Sequence, residues 1–345
     1  MSYTNQTTTN LADLISKLNT FLSGTPGWTT NHIPASGVFA ARKSGAGYDI
    51  GFAAQWDTAT PGNLGIYQWT GGAYNTGVNP WQQTNDSGNG FAGTSNASLN
   101  TARFANITNT PSQFWCFEDD HYFHCVVQLA DTVNYVHFGA GLLDKFNDWT
   151  GGEYVYGHTK TTVGASMQST NSTFMLDGVI LNTSGTPNMS ASAQLFAATI
   201  HAEGLAGQGV NEKWCVSMGN QSSANLGNDR QGSPQPRRHW VGGFRGSSWA
   251  LNFGQFRGTL NRALCPMYPL VSMYWRRSPD EIYGPMGQMK DVRGVNVRDY
   301  AAGDEVTVGS DTWVVFPAAQ KSTSDGTPTN GETGYLGVAY RKVTT

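Results

Sequence analysis

Tyr48-Asp49-Ile50-Gly51-Phe52-Ala53-Ala54-Gln55-Trp56 alternates apolar side chains with small or polar ones at every second position. A period of two sends successive side chains to opposite faces of an extended chain, so this run predicts a strand with one buried face. The turn-forming group Thr60-Pro61-Gly62-Asn63 follows, then a second apolar run from Leu64 to Trp69. Together they predict a hairpin, closed by Gly71-Gly72. The same signal recurs outward from it. Phe114 to Glu118 and His121 to Leu129 flank a turn at Asp119-Asp120, and Val133 to Phe138 follows. Phe174 to Leu181, around Asp177-Gly178, predicts another short strand or hairpin. Trp214-Cys215-Val216 breaks a polar, Gly-rich tract over 182–235, and residues 83–100 read as a surface loop. Near the end, 304–317 reads as strand, turn, strand, a polar loop spans 321–334, and Tyr335 to Tyr340 is a final strand.

One segment has the other period. Leu11, Leu14, Ile15, Leu18 and Leu22 fall on one helical stripe, with Asn10 placed to cap the helix and Gly24 to end it. The stripe must be covered, either by its own domain or by a neighbouring subunit. One helix and many short strands between turn signals predict a mainly β protein. The expected architecture is a jelly-roll-like β-sandwich with one short N-terminal helix and a small C-terminal β subdomain. The division expected is a helical segment over 1–36, a sandwich over 37–290 and a small β region over 291–345.

The chain has 345 residues, enough to bury a sizeable core without staples. Only 13% are charged, while aromatics reach 12% and Gly numbers 42. That balance excludes a disordered chain and a coiled coil. The net charge of −3 leaves no broad basic face for nucleic acid, so none is expected as a partner. Arg237-Arg238-His239 and Arg276-Arg277 are short basic clusters that suit an acidic partner or a solvated edge. The polar opening Met1 to Asn10 gives no secretory signal, and no apolar run is long enough for a membrane span. Four cysteines (Cys116, Cys125, Cys215 and Cys265) form neither a disulfide framework nor a CxxC zinc pair.

The densest polar cluster is Glu118, Asp119, Asp120, His121 and His124, which reads as hairpin-turn chemistry because neighbours on a strand diverge. Asp144, Asp148 and Glu153 lie among Phe146, Trp149 and Tyr154, the mixture of carboxylates and rings that a sugar-binding cleft uses. Trp149, Tyr154 and Asp148 are therefore the candidate glycan shelf. No nucleophile elbow, Walker A motif or dinucleotide fingerprint occurs, and neither a catalytic residue, a metal site nor a cofactor is expected.

Several blocks carry a resemblance. They are the helix from Leu11 to Leu22 with Gly27-Trp28-Thr29, then Cys265-Pro266-Met267-Tyr268-Pro269-Leu270, Tyr283-Gly284-Pro285-Met286-Gly287-Gln288 and Val292-Arg293-Gly294-Val295-Asn296. Trp313-Val314-Val315-Phe316-Pro317 and Gly337-Val338-Ala339-Tyr340-Arg341-Lys342 complete the order. In this order the chain resembles a family of virion structural proteins of tailed bacteriophages. The resemblance implies a non-enzymatic, β-rich tail or baseplate component, made in the bacterial cytoplasm and built into the virion as a homo-oligomer beside other virion proteins. A second reading is a β-sandwich that binds host-surface glycan, and a third is a glycan-degrading enzyme. Under the assembly reading the expected contacts are the stripe Leu11, Leu14, Ile15 and Leu18, and the aromatic region Trp240, Phe244 and Trp249.

Overall fold

The period-two segments that fall among the described residues are strands. The computed structural model describes residues 2–56, 58, 63–80, 83, 105–106, 110–146, 148–157, 196–203, 214–218, 240–241, 267–276, 282–318, 320–321 and 336–343. In chain order the elements are β1 (Ser2–Thr7), α1 (Leu11–Ser23), β2 (Trp28–Ile33), a 3-10 turn (Pro34–Ser36), β3 (Val38–Gly45), β4 (Tyr48–Trp56), β5 (Asn63–Trp69), β6 (Ala105–Asn106), β7 (Pro111–Asp119) and β8 (Tyr122–Leu129). They continue with β9 (Tyr135–Lys145), β10 (Thr150–Gly157), β11 (Phe196–Glu203), β12 (Trp214–Met218), β13 (Trp240–Val241), β14 (Met267–Arg276), β15 (Ile282–Asn296), β16 (Asp304–Val308), β17 (Asp311–Pro317) and β18 (Leu336–Lys342). The fold is mainly β and sandwich-like, with a single α-helix among the described residues. The proposed strand at 174–181, the loops at 84–100 and 322–334, and Arg237-Arg238-His239 lie outside those residues.

Two sheets form. The larger runs β1-β7-β8-β9-β10-β11-β12-β13-β14-β15-β18-β17-β16, and the smaller β2-β3-β4-β5-β6. The large sheet curls. β8 pairs with β9 as far as Gly141, opposite its first residue Tyr122, and beyond that point β15 takes over the same strand, at Leu143 to Lys145. β15 then leaves β9 and pairs with β18 from Val292 onward. Between the two partners sits Asp291, a non-glycine residue with φ 56°. That left-handed geometry is uncommon outside glycine, and Asp is among the residues that tolerate it best. Its carboxylate is held twice, by the Tyr122 hydroxyl at 3.0 Å and by Arg341 at 2.9 Å.

The curl lays β15, β18 and β17 over one face of β7 to β10, and the small sheet with α1 covers the other. On the first face Phe117 stacks on Tyr340 (centroids 5.0 Å apart, planes 14° apart) and Trp115 meets Phe316 edge-on at 4.9 Å. On the second, Phe52 of β4 meets Phe123 edge-on at 5.0 Å and stacks on Phe138 at 6.2 Å. Alternation along β7 sorts the two: Phe114 and Cys116 join the helix-side core, Trp115 and Phe117 the other.

The helix forms where its stripe and caps predict. Asn10 accepts a hydrogen bond from the Asp13 N–H at 2.9 Å, and the Gly24 N–H closes the other end on the Thr20 carbonyl at 3.1 Å. Its stripe is not a docking surface. Leu11, Leu14, Ile15 and Leu18 are buried in the chain's own core with Trp28, Phe39 and Phe114, which corrects the expectation of a neighbour there. The polar opening is also more than a leader, since all six residues of β1 pair with β7 without a break. The position 36/37 falls between the paired strands β2 and β3, and 290/291 falls inside β15. Hydrogen bonding is therefore continuous across both expected boundaries.

Leu18 is fully buried. Leu18→Ala is expected to lower unfolding free energy by about 2–5 kcal/mol, read from urea midpoints, with the oligomeric state unchanged.

Candidate functional site

The histidine and tyrosine side chains of β8, β9 and β10 converge on the face covered by β15, β17 and β18. Two glycines make room for them. Gly139 of β9 lies between His124 of β8 and Tyr156 of β10, and Gly141 lies between Tyr122 and Tyr154. A Cβ at Gly139 would stand 2.4 Å from the Phe123 carbonyl oxygen, and one at Gly141 would stand 2.6 Å from the Tyr154 hydroxyl. The rings of the flanking strands thus lean over β9, and a 2.9 Å hydrogen bond joins His124 Nδ1 to the Tyr156 hydroxyl. His124 also stacks on Tyr122 at 4.6 Å.

His124 is completely buried, and burial pulls its pKa down from 6.5 to about 3. It is a neutral hydrogen-bonding ring at neutral pH. Burial likewise raises the phenols of Tyr154, Tyr156 and Tyr340. Tyr122 is raised by burial and then by the Asp291 carboxylate that accepts its hydrogen bond. His137 continues the stack. Its Nε2 lies 2.9 Å from the Pro317 carbonyl, which can only accept, so Nε2 carries the proton. In the neutral ring Nδ1 then accepts from the Tyr340 hydroxyl at 2.9 Å. These bonds tie β8 to β10, and β9 to β17 and β18.

The acidic end of β7 splits between the two faces. Glu118 points to the helix side, where Oε1 accepts from Trp28 Nε1 at 2.9 Å and from Lys43 Nζ at 3.1 Å. Oε2 is buried without a partner among the described residues. Lys43 is itself buried and also donates to the carbonyls of Pro26 and Asp119. Asp119 points the other way and pairs with Lys290 of β15. Burial opposes its ionisation, but the Lys290 ammonium outweighs that and holds the carboxyl below its ordinary value. The turn itself is Asp120-His121, one residue later than expected, with His121 against the Tyr48 ring.

Glu153 is a clamp between sheets. Oε1 accepts from the Asp49 N–H at 3.0 Å, and Oε2 meets His201 Nδ1 at 2.9 Å. Its own carbonyl accepts from Gln68 at 2.8 Å. Asp49 in turn takes Arg42 through both oxygens and the N–H groups of Gly71 and Gly72. Among the described residues no group of three His, Cys, Asp or Glu side chains could hold a metal ion.

The expected glycan shelf does not assemble as an exposed face. Tyr154 is fully buried and Trp149 is buried under Lys145, whose Nζ lies 5.4 Å from the ring centroid, while Asp148 points to solvent. The physical reason is that β10 lies mid-sheet rather than in an edge loop. Trp240 is placed on the two-residue strand β13, and Phe244 and Trp249 lie outside the described residues. Reading along the chain missed His137, His201, Asp49 and Arg42, each of which gains its role only from a distant strand. The small residues of Phe138-Gly139-Ala140-Gly141 between aromatic strands are the one local signal of the ring stack. No helix among the described residues is long and apolar enough to cross a membrane.

The chain matches no protein-family model and no curated protein.

Lys43→Met leaves the Glu118 charge buried and unpaired, and is expected to cost about 3–5 kcal/mol in urea unfolding. Adding Glu118→Gln to it should recover much of that loss.

His124 sets a pH dependence. Its folded value lies below its ordinary value of 6.5, so unfolding takes up a proton and stability falls as pH drops from about 6.5 toward about 3. Asp119, depressed by Lys290, adds stability above 3.8 that is lost below it. Urea midpoints from about pH 7 to about pH 5 should slope downward for the native chain and less steeply in His124→Gln, the remaining slope including that of His32, which burial also lowers.

Proposed function

We propose that this chain is a non-enzymatic structural component of a tailed-phage virion, in the tail or baseplate, assembling through repeated contacts with its own copies and other virion proteins. The observation that carries the reading is the placement of the resemblance blocks. Residues 283–288 and 292–296 lie on β15, 313–317 on β17 and 337–342 on β18, three strands consecutive in one sheet. Met267 to Leu270 begins β14, the next neighbour. These C-terminal segments thus form one contiguous unit, as expected if they mark a shared structural element, while the block of α1 with Gly27-Trp28-Thr29 lies with the small sheet.

Two further features support the reading. The buried carboxylates and histidines described above join strands to one another, a use of polar groups that suits a load-carrying part. The chain is poor in charge and rich in aromatics, the composition of cores of permanent interfaces. With the helix stripe consumed inside the chain, the contact region proposed is the aromatic segment from Trp240 through Phe244 to Trp249. Closed symmetry follows when one such contact repeats between copies.

Immunogold electron microscopy of phage particles, with an antibody against this chain, tests the proposal. Label at a fixed place on the tail is the expected result. Unlabelled particles, with the protein free in the lysate, would overturn it.

A further inference from the structure

Cys116 of β7 and Cys125 of β8 face each other directly across the antiparallel pair, and their sulfurs lie 3.2 Å apart. Both are free thiols, and both are buried in the helix-side core. Opposed residues of an antiparallel pair have Cα atoms about 4.5–5.5 Å apart, inside the span a disulfide bridges. A bond of about 2.05 Å needs the two sulfurs to close by little more than about 1 Å. The register holds them there, since β7 and β8 pair without a shift from Gln113 to Asp119.

We propose that Cys116 and Cys125 form a conditional cross-strand disulfide, closed when the chain folds in the presence of a small-molecule disulfide oxidant. The oxidant is of the class of oxidised glutathione. One cysteine thiolate attacks a sulfur of the oxidant and expels a glutathione thiolate, leaving a mixed disulfide. The second cysteine thiolate attacks the protein sulfur of that mixed disulfide and expels the second glutathione. Two thiols are oxidised, one oxidant disulfide is reduced to two thiols, and the two protons leave with them. The first exchange belongs to the open chain, and the second closes the bridge as β7 and β8 pair and before the core buries them. In the folded state burial, then the neighbouring Cys125, raises the Cys116 thiol well above its ordinary range, so little thiolate is present. For the same reason the bridge, once formed, is shielded from reductant. The reduced chain already has a complete core, so the bridge adds to the fold without creating it. This inference goes beyond the virion reading and stands without it.

The full chain is unfolded in denaturant with reductant and refolded either in reductant or in a mixture of oxidised and reduced glutathione. Free thiols are then alkylated after denaturation. Cleavage at Lys and Arg leaves both cysteines in one peptide, residues 104–145, with Cys215 and Cys265 in others. The expected result is an unalkylated 104–145 peptide about 2 Da lighter than its dithiol form after oxidative refolding, and a doubly alkylated one after reductive refolding. Circular dichroism should be native in both, and the oxidised form should melt several degrees higher without reductant. Cys125→Val should abolish both the mass change and the melting difference. Two alkylated thiols in 104–145 after oxidative refolding, a retained glutathione adduct, a bridge to Cys215 or Cys265, or a bridged chain lacking the native spectrum would each overturn the proposal.

Discussion

Strands β7 to β10 are buried on both faces, and most of the structure answers to that constraint. A strand with one wet face can send its polar side chains to water. These strands cannot, so Glu118, Asp119, His124, His137 and Glu153 each needed a partner inside the protein. A buried polar group left unpaired costs more than the same group paired gains, so pairing decides which neighbours are tolerated. The partners come from distant segments: Lys43 and Trp28 for Glu118, Lys290 for Asp119, Tyr340 for His137 and His201 for Glu153. Polar residues in these strands therefore act as connectors between layers.

Covering both faces also requires the sheet to curl, and two local devices permit it. Gly139 and Gly141 lower the surface of β9 so that four rings from β8 and β10 fit above it. Asp291 takes a left-handed backbone where β15 exchanges β9 for β18, with Tyr122 and Arg341 holding its carboxylate. The Tyr122 ring leans over Gly141 while its hydroxyl meets Asp291, so one side chain couples the two devices.

This organisation bears on function through what it leaves to the outside. Of the groups that looked like chemistry in the sequence, Glu118, Asp119, His124 and Glu153 are turned inward and serve the layers. Trp149 and Tyr154 are core residues, and the leucine stripe of α1 is spent on the chain's own core. Among the described residues, the large hydrophobic side chains that do reach solvent, Val133, Phe146 and Val308, stand at or beside hairpin turns. The adjacency of β14, β15, β18 and β17 makes the C-terminal strands of the large sheet one unit.

By itself the sequence determined the local elements. Period two along 48–56, 64–69, 114–129 and 304–317 specified strands and hairpins, and the leucine spacing with Asn10 and Gly24 specified α1, because these signals act between residues close in the chain. β1 and β10 escaped notice because their residues are polar or Gly-rich and become strands only when neighbouring strands satisfy them. Tertiary structure alone decided which face each side chain meets, where β15 changes partner, and that the carboxylates beside Trp149 and Tyr154 fall in separate environments. Those outcomes depend on pairings such as Asp49 with Glu153 and His137 with Tyr340, more than a hundred residues apart. A chain can encode a strand locally, but the burial of its second face depends on whatever the rest of the fold brings to cover it.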